Sequence, residues 1–307
     1  EALTAAIDSG ADAVYLGGKL FGARHYAANF DKSELESAVE YTHVRNMKIY
    51  VTVNTLVLEN EIPDVARYLV WLHEIGVDAV LVQDLGVIDL ARKLVPELEL
   101  HASTQMTIHN REGAFWAAQM GLKRAVLARE LSLAEVEEIA HAVPIGIEIF
   151  IHGALCYGYS GQCLLSSVIG GRSGNRGMCA QPCRKPYELV KGKQDRYGRF
   201  LDLETIPLNE KYLMSTKDLA VYSHLDKIVK SGINALKIEG RMKSPEYVAV
   251  VVSVYRKALD AIALGEWSPS QDDLGKLALA FNRGFTKGYI LGAKQRGLMG
   301  RTRSDNR

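Results

Sequence analysis

A short phrase that recurs along the chain constrains its fold more than any other feature of the sequence. Ser-Gly-Ala-Asp-Ala-Val-Tyr-Leu-Gly at residues 9–17 returns with changes at 75–84 and 231–240, and more loosely at 120–130. Each copy has a glycine at the end of a helical stretch, then a polar turn residue and a short apolar strand. Amphipathic helical stretches separate the apolar segments, at 33–45, 61–75, 86–94 and 132–141. This alternation predicts parallel strands joined by right-handed βαβ units.

Seven strands follow from this pattern, near 13–17, 48–54, 79–83, 98–103, 124–129, 146–151 and 235–239. An eighth strand would close a TIM-type (β/α)8 barrel. The chain opens in a helical stretch that leads directly into the first strand, so the simplest source of the eighth is a strand upstream of Glu1. Tyr212–Thr216 is a second candidate, and an open doubly wound sheet is the alternative fold. We therefore predict an α/β chain with a TIM-type (β/α)8 barrel whose first strand is missing.

The interval between the sixth and seventh strands is much longer than the others. It contains all four cysteines, a glycine-rich loop at 170–177 and a predicted small β-hairpin with strands near 186–191 and 199–203. Long excursions from a regular scaffold often carry the specialised chemistry. The predicted organisation is a catalytic barrel over 1–264 with an insertion at 153–210, then a C-terminal extension at 265–307 leading into a truncated further domain.

Charge and hydropathy exclude several classes of protein. The 37 Lys and Arg residues nearly balance the 36 Asp and Glu residues, so no global field indicates a nucleic-acid or membrane partner. No apolar run approaches the roughly 20 residues of a membrane span. The N-terminus also lacks a basic-then-apolar secretory pattern. We therefore predict a cytoplasmic protein that has no membrane partner.

The cysteines are the most informative residues for chemistry. Cys156, Cys163, Cys179 and Cys183 are the only four in the chain, spaced Cys-x6-Cys and Cys-x3-Cys. In a reducing compartment, such clusters indicate metal or redox sites more often than disulfides. Four thiolates suit an iron–sulfur cluster or a zinc ion, and the spacing favours the cluster because structural zinc usually uses Cys-x2-Cys pairs. Zinc, a disulfide and unligated thiols remain the alternatives.

The chain around the second cysteine pair is locally basic. Residues 172–199 include eight Lys or Arg and two Asp or Glu in an otherwise nearly neutral protein. Such a segment favours an anionic cluster or an anionic substrate, and as a group it indicates phosphate or carboxylate recognition. For any one of these arginines, ordinary surface charge is the alternative.

One segment resembles a known family closely. Glu148-Ile-Phe-Ile-His-Gly-Ala-Leu-Cys-Tyr-Gly-Tyr-Ser-Gly-Gln-Cys-Leu-Leu-Ser166 is similar, position by position, to the signature of peptidase family U32, the collagenase-like proteases. Residues 24–30, 175–184 and 236–243 resemble other blocks of that family. The resemblance covers essentially the whole chain.

The resemblance implies a TIM-barrel-like catalytic domain, preceded by one more strand and followed by a small C-terminal domain. Better-understood members of the family are oxygen-independent or prephenate-dependent hydroxylation proteins that act on tRNA, on ribosomal RNA or in ubiquinone synthesis. Several hold a [4Fe–4S] cluster, for which the four cysteines of this chain would be the ligands. The implied partners are RNA, a small carboxylate co-substrate such as prephenate, and a homo- or hetero-oligomer with another family member.

Polar residues that follow predicted strands supply the remaining candidates, since chemistry in (β/α)8 enzymes lies at the carboxyl ends of strands. We predict catalytic roles for His152, Glu148, His101 and Glu239. We predict substrate-binding roles for Arg24, Asn54, Asp84, Gln105, Arg129, Arg176, Arg184 and Arg241. For each residue, a hydrogen bond to a neighbouring loop is the structural alternative.

The predicted function is [4Fe–4S]-dependent hydroxylation or RNA modification of an anionic substrate, a tRNA or rRNA base. A collagenase-type peptidase is one alternative, although the sequence has no His-Glu-x-x-His helix, no Gly-x-Ser-x-Gly elbow and no cysteine outside the cluster to act as nucleophile. A non-catalytic binding scaffold is the other alternative.

Overall fold

The computed structural model describes residues 1–301, in which helices and strands alternate along most of the chain. The helices are α1 (Ala2–Asp8), α2 (Lys32–His43), α3 (Ile62–Glu74), α4 (Leu85–Leu94), α5 (Arg111–Gln119), α6 (Leu133–Ala142), α7 (Leu165–Gly170), α8 (Leu225–Val229), α9 (Pro245–Leu264) and α10 (Gln271–Leu279). The strands are β1 (Ala13–Leu16), β2 (Lys48–Val53), β3 (Ala79–Val82), β4 (Glu99–Ala102), β5 (Arg124–Val126), β6 (Gly146–Ala154), β7 (Leu189–Gln194), β8 (Phe200–Ile206), β9 (Tyr212–Thr216), β10 (Asp218–Ala220), β11 (Ala235–Ile238), β12 (Phe285–Thr286) and β13 (Met299–Arg301).

The main sheet is mostly parallel. Strands β1 to β6 pair in sequence order, and β11 pairs in parallel with β6. All seven strands predicted from the recurring phrase and the intervening apolar segments are confirmed. Strand β3 is buried at every residue, which is typical of parallel strands covered on both faces. The chain is therefore an α/β protein built on a parallel sheet.

Two helices begin at a side chain that caps their first turn. Asp31 accepts a hydrogen bond from the Glu34 amide while the Glu34 carboxylate accepts one from the Asp31 amide, and Ser132 and Glu135 repeat this capping box at α6. The helices cover the outer face of the sheet with apolar side chains such as Leu69 of α3, which is fully buried. Within residues 1–301, no helix combines the length and the apolar character that crossing a membrane requires.

The sheet curls on itself. Its inner face buries a small cluster of Tyr50, Ala79, Leu81 and Val126, which come from β2, β3 and β5. The terminal parallel strands meet through side chains, because the Tyr15 hydroxyl of β1 lies 3.4 Å from the carbonyl oxygen of Ile238 in β11. Within residues 1–301, β1 and β11 do not pair through their backbones, so the structure shows a curled parallel sheet and not a closed eight-stranded barrel.

The second candidate for an eighth barrel strand is wrong. Strand β9, Tyr212–Thr216, pairs antiparallel with β13 in a separate two-stranded sheet. The Tyr212–Thr216 segment lies in the long excursion between β6 and β10 and does not join the main sheet. The strand upstream of Glu1 stays a prediction.

Strand β6 is longer than its neighbours and also pairs with two later strands. Residues 148–152 pair in parallel with β11, and residues 152–154 pair antiparallel with β10, where Ala154 lies opposite Asp218. Between these two residues runs the long excursion, which includes the predicted hairpin as β7 and β8. Residues 265–301 return to the same body, since α10 packs on α9 and β12 pairs with β10. The predicted boundaries at 153–210 and 265–307 stay predictions, and residues 302–307 lie outside the described chain.

Candidate functional site

A cavity of about 1160 Å³ opens at the carboxyl ends of the parallel strands. One part of its wall comes from residues within three positions of the ends of strands, namely Asn54 after β2, Gln105 after β4, Arg129 after β5 and Glu239 after β11. The remaining wall comes from the long excursion between β6 and β10. The cavity therefore joins the part of a (β/α)8-type fold that usually carries chemistry to the most specialised segment of this chain.

All four cysteines line this one cavity. Each is partly buried, and none forms a disulfide. The pKa of the Cys183 thiol is raised to about 11, mainly by burial and less by the charges of the other three cysteines, while Arg184 opposes the rise. The four thiols thus share one partly desolvated space, although 27 residues separate the first of them from the last.

Arg184 holds two of the cysteine segments together. Its guanidinium donates to the carbonyl oxygen of Leu155 at 2.6 Å, to the Ser215 hydroxyl at 3.1 Å and to the carbonyl oxygen of Thr216. Because Leu155 precedes Cys156 and Arg184 follows Cys183, these bonds fix the first and last cysteines relative to each other. Arg184 lines the cavity, and its hydrogen bonds are made to the protein itself.

Arg176 anchors the excursion to the loop after β2. It forms a two-pronged ion pair with Glu61, at 2.6 and 2.7 Å, and donates to the carbonyl oxygen of Leu56 at 2.8 Å. Hydrogen bonding from Arg176 and then from the Leu58 amide lowers the pKa of Glu61 to about 2. Arg176 is not part of the cavity wall, and the ion pair holds the segment that leads to Cys179.

Ser160 fixes the loop between the first two cysteines. It is fully buried, and its hydroxyl accepts from Arg129 Nε at 3.0 Å and lies 3.2 Å from a Glu130 carboxylate oxygen. Its carbonyl oxygen accepts from the Thr107 hydroxyl at 2.6 Å. Next to it, Gly161 has a φ of +73° and packs directly on the carbonyl group of Gln105.

Replacing Gly161 with alanine is expected to destabilise the chain by about 2–5 kcal/mol, through left-handed backbone strain and overpacking. An added Cβ would lie 2.7 Å from the carbonyl carbon of Gln105. Gly171→Ala is the matched control, because Gly171 has a φ of +64° with nothing within 4 Å of an added Cβ. The control is expected to lose only the strain, about 1–2 kcal/mol. Urea unfolding of both variants measures the difference, and equal losses would mean that the Gln105 contact does not constrain the loop.

The cavity wall is strongly cationic. Eight Lys or Arg residues line it against two Glu, and the basic members are Arg24, Arg129, Arg184, Lys237, Arg241, Lys243, Lys276 and Arg283. This excess stands in a chain with a net charge of +1. The local field therefore favours an anionic occupant.

Glu239 organises part of this charge. It accepts from the Tyr15 hydroxyl at 2.8 Å and lies 3.6 Å from Arg24. Burial alone would raise the pKa of Glu239, but Arg24, the Tyr15 hydroxyl and Arg241 together hold it below its usual range. Glu239 is thus an ionised carboxylate that positions a partly exposed arginine at the cavity wall.

Two arginines of the cavity wall have guanidinium N–H groups available for a ligand. Arg129 bonds to Ser160 through Nε, and its two terminal nitrogens have no partner in the described part of the chain. Arg241 donates once to the Thr52 hydroxyl and once to the Asn29 side chain. A guanidinium has five N–H donors, so both can still bind a carboxylate or phosphate.

Three of the four predicted catalytic residues do not line the cavity. Glu148 is buried inside the sheet, 2.7 Å from Lys237 and 3.4 Å from Arg124. His101 is also buried, and its Nε2 lies 2.8 Å from Glu99. Their predicted catalytic roles stay untested, and the contacts they make are those of a buried polar network.

His152 is the third of these residues. It is 2% exposed, and its ring packs against Tyr247, Tyr255 and Phe285. Burial, together with the charge of Lys243, lowers the pKa of His152 to about 3, so the ring is neutral at pH 7. The structure therefore places His152 in an aromatic cluster beside β6 and not in the wall that holds Cys156.

Asp84 caps a helix. Its carboxylate accepts from the amides of Gly86 and Val87 at the start of α4, and from the amide of Val57 at 3.2 Å. It lies outside the cavity wall. Of the predicted substrate-binding residues, the structure brings together at the cavity Arg24, Asn54, Gln105, Arg129, Arg184 and Arg241.

Sequence reasoning missed Lys237 and Lys243. Lys237 is buried in β11, and burial lowers the pKa of Lys243 to about 8 in a wall where its ammonium lies 3.4 Å from the centre of the Phe281 ring. The alternation of side chains along a strand could have identified Lys237, because Lys237 and Glu239 are two residues apart and therefore share the inner face. Nothing in the local pattern marked the second.

The cavity thiols have the chemistry of a metal-cluster donor set. Four cysteines are the complement of a tetrahedral zinc ion or of a [4Fe–4S] cluster. Within residues 1–301, no three or more His, Cys, Asp or Glu side chains form a group placed to hold a metal ion. A cubane takes each thiolate at a different iron corner, so its ligands lie farther apart than those of one ion. The number of thiols and their free state match either donor set, and the group that they hold stays a prediction.

Comparison with protein-family models matches residues 1–300 to Peptidase family U32. The chain belongs to peptidase family U32. Family membership confirms the resemblance carried by residues 148–166. Among curated U32 relatives, the 23S rRNA 5-hydroxycytidine C2501 synthase of Escherichia coli is 44% identical over 257 residues, covering 84% of this chain and 37% of that protein.

Two further U32 relatives carry different functional names. The tRNA hydroxylation protein P1 of Bacillus subtilis is 41% identical over 261 residues, covering 85% of this chain and 61% of the relative. A protein of Porphyromonas gingivalis named collagenase is 35% identical over 310 residues, covering 96% of this chain and 72% of the relative. The chain thus spans less than two thirds of the first two relatives.

Proposed function

We propose that this chain is the catalytic region of an enzyme that hydroxylates an RNA base, with a [4Fe–4S] cluster held by its four cysteines. The observation that carries the proposal is the convergence of four free thiols and eight cationic side chains on one cavity. Two relatives named for rRNA and tRNA hydroxylation support the choice of RNA as substrate. An RNA substrate also agrees with the predicted cytoplasmic location.

Cys156, Cys163, Cys179 and Cys183 would hold the cluster, with Arg184 and Arg176 keeping their segments in place. A bound [4Fe–4S] cluster supplies single-electron transfer. Arg24 lies near enough to Cys156 and Cys179 that their charges raise its pKa, after the larger effect of Glu239. A fixed cation at this position would stabilise negative charge on the sulfurs.

Arg129 and Arg241 are the residues we propose for an anionic group of the substrate or of a carboxylate co-substrate. Each has unused guanidinium donors at the cavity wall, and a two-pronged bond to a planar carboxylate or a phosphate uses two of them at once. Prephenate as co-substrate and an oligomer with another family member stay predictions that follow from the resemblance.

The cavity is less suited to peptide hydrolysis by a nucleophile–base pair. Among residues 1–301, no histidine lines the cavity, so the thiols and hydroxyls described in the wall have no imidazole beside them to activate them. The relative named collagenase makes the peptidase the natural competitor, and the experiment below includes it.

The test compares modified nucleosides in RNA from cells with and without the gene for this protein. We expect one hydroxylated nucleoside to disappear with the gene, and to return with the wild-type gene and not with one encoding Cys179→Ser. Anaerobically purified protein is expected to contain about four iron atoms per chain. An unchanged nucleoside profile, or peptide hydrolysis that survives loss of all four cysteines, would overturn the proposal in favour of the peptidase.

A further inference from the structure

Two aromatic rings stand exposed at the wall of the cavity. Tyr157 and Tyr159, which follow Cys156 closely, are 49% and 61% exposed and both line the cavity. In the described part of the chain, neither ring packs on another aromatic ring or lies under a cation. Exposed aromatic surface beside a cavity with a cationic wall is typical of a contact site for a ligand.

The backbone that carries these rings is fixed. Ser160, the next residue, is fully buried and bonds to Arg129, Glu130 and Thr107 as described above. On the other side, Gly158 packs closely against Cys163, because a Cβ added at Gly158 would lie 2.9 Å from the Cβ of Cys163. The rings therefore project from an ordered loop. A ligand that stacks on them would cost little conformational entropy of this loop, because its backbone is already fixed.

Neighbouring tyrosines show how this pair differs. Tyr26 is 55% exposed, but the Arg172 guanidinium covers its ring at 4.3 Å from the ring centre. Beside Tyr157 and Tyr159, the nearby cation is Arg129, whose terminal nitrogens are free of protein partners within residues 1–301 and whose Nε bonds to the loop itself. Open aromatic faces and an available guanidinium thus occur on the same short stretch of wall.

We propose that Tyr157 and Tyr159 form a stacking platform that receives an unpaired RNA base at the cavity, with Arg129 binding an adjacent phosphate. This inference rests on the proposed function, and it narrows the substrate to single-stranded RNA. A base inside a helix cannot bring its reacting atom into a cavity, so it must leave its stack. Aromatic side chains replace the lost stacking, and every base offers the π-face that they need.

The test uses a single-stranded RNA oligonucleotide with one 2-aminopurine, and the same strand annealed to its complement. We expect the wild-type chain to prefer the single strand and to quench the 2-aminopurine, which reports stacking. Tyr157→Ala and Tyr159→Ala are each expected to weaken binding by about 5- to 150-fold and to relieve the quenching. Their salt dependence is expected to stay unchanged, because no phosphate contact is removed.

Two further variants make the result specific. Tyr157→Phe and Tyr159→Phe keep the ring face and are expected to retain binding. Phe115→Ala removes a ring of similar exposure, 42%, on the outer helix α5, and is expected to bind as wild type does. Thermal unfolding of each variant checks that the exposed substitutions leave the fold intact.

The outcomes separate this inference from the proposed function. If alanine variants bind and quench as wild type does, the platform is wrong and RNA binding stands. A preference for duplex RNA, or equal losses for Phe and Ala variants, also overturns it. If wild type binds neither RNA and instead binds a collagen peptide through the same tyrosines, both proposals fail.

Discussion

A chain carrying Cys179→Ser is expected to lose its iron and with it the whole visible absorption near ~400 nm that a [4Fe–4S] cluster gives. Serine keeps the size of cysteine but offers a hard oxygen in place of a soft thiolate. The four thiols line one cavity, and no fifth cysteine exists to take the vacant corner. The measurements are iron content and absorption after anaerobic purification.

Ser167→Ala is the matched control for this substitution. Ser167 lies on α7, in the same excursion, and carries no thiol. The control is expected to keep its colour, and the far-ultraviolet circular dichroism of both variants is expected to match that of wild type. A Cys179→Ser chain that retains its full cluster would show that the ligand set is wrong. Colourless wild-type protein with one zinc would indicate a structural site instead.

Replacing Lys237 with methionine is expected to lower the free energy of unfolding by about 3–5 kcal/mol, the cost of removing one partner from a buried ion pair. Lys237 and Glu148 are 2.7 Å apart, with side chains 6% and 7% exposed. Burial alone would raise the pKa of Glu148, and Lys237 and then Arg124 hold it below its usual range. Without Lys237, the effect of burial on the pKa of Glu148 is opposed mainly by Arg124, 3.4 Å away.

The pH dependence gives this prediction a signature. In the variant, the folded-state pKa of Glu148 is expected to rise above its unfolded value of 4.5. A raised folded-state pKa contributes stability below the unfolded pKa that is lost as pH rises. The deficit relative to wild type is therefore expected to be largest at neutral pH. It is expected to shrink as pH falls through the raised pKa of the variant, and to shrink further below pH 4.5, where wild type loses the contribution of its lowered pKa. Urea unfolding at several pH values measures it.

Two control chains complete this experiment. Lys19→Met removes an exposed partner of Asp31, in a pair 62% and 45% exposed, and is expected to cost much less, because solvent screens an exposed ion pair. The double variant Glu148→Gln with Lys237→Met is expected to recover most of the loss, because no buried charge is left without its partner. Equal losses for Lys237→Met and Lys19→Met would mean that the buried pair contributes no more than a surface pair.

The parallel sheet was predictable from the sequence because several of its strands have a recognisable local pattern. A glycine ends a helix, a polar residue turns the chain and a short apolar run follows, as in the copies at 9–17, 75–84 and 231–240. The observed strands Ala13–Leu16, Ala79–Val82 and Ala235–Ile238 lie inside those phrases. Convergence of the cysteines on one cavity was also expected from their clustering.

Other features depend on contacts that no local pattern encodes. His152 was predicted to follow a strand, as a catalytic residue would, but it lies within β6, and its ring packs on aromatic side chains such as Tyr255, which comes 103 residues later. Arg184 and Arg176 carry the charge that a phosphate site needs, but partners 29 and 115 residues away use it. Residue type and strand position therefore predicted the cavity wall better than the roles of individual side chains.

The pairing of Ala154 with Asp218 holds the two ends of the long excursion together. Both ends of the intervening segment are held by the same antiparallel ladder, and the Thr216 hydroxyl adds a bond of 2.6 Å to the carbonyl oxygen of Leu155. For a flexible loop closed in this way, doubling the number of residues adds only about 0.6 kcal/mol of entropic cost. A longer or shorter hairpin of β7 and β8 would therefore leave the register of the parallel strands unchanged.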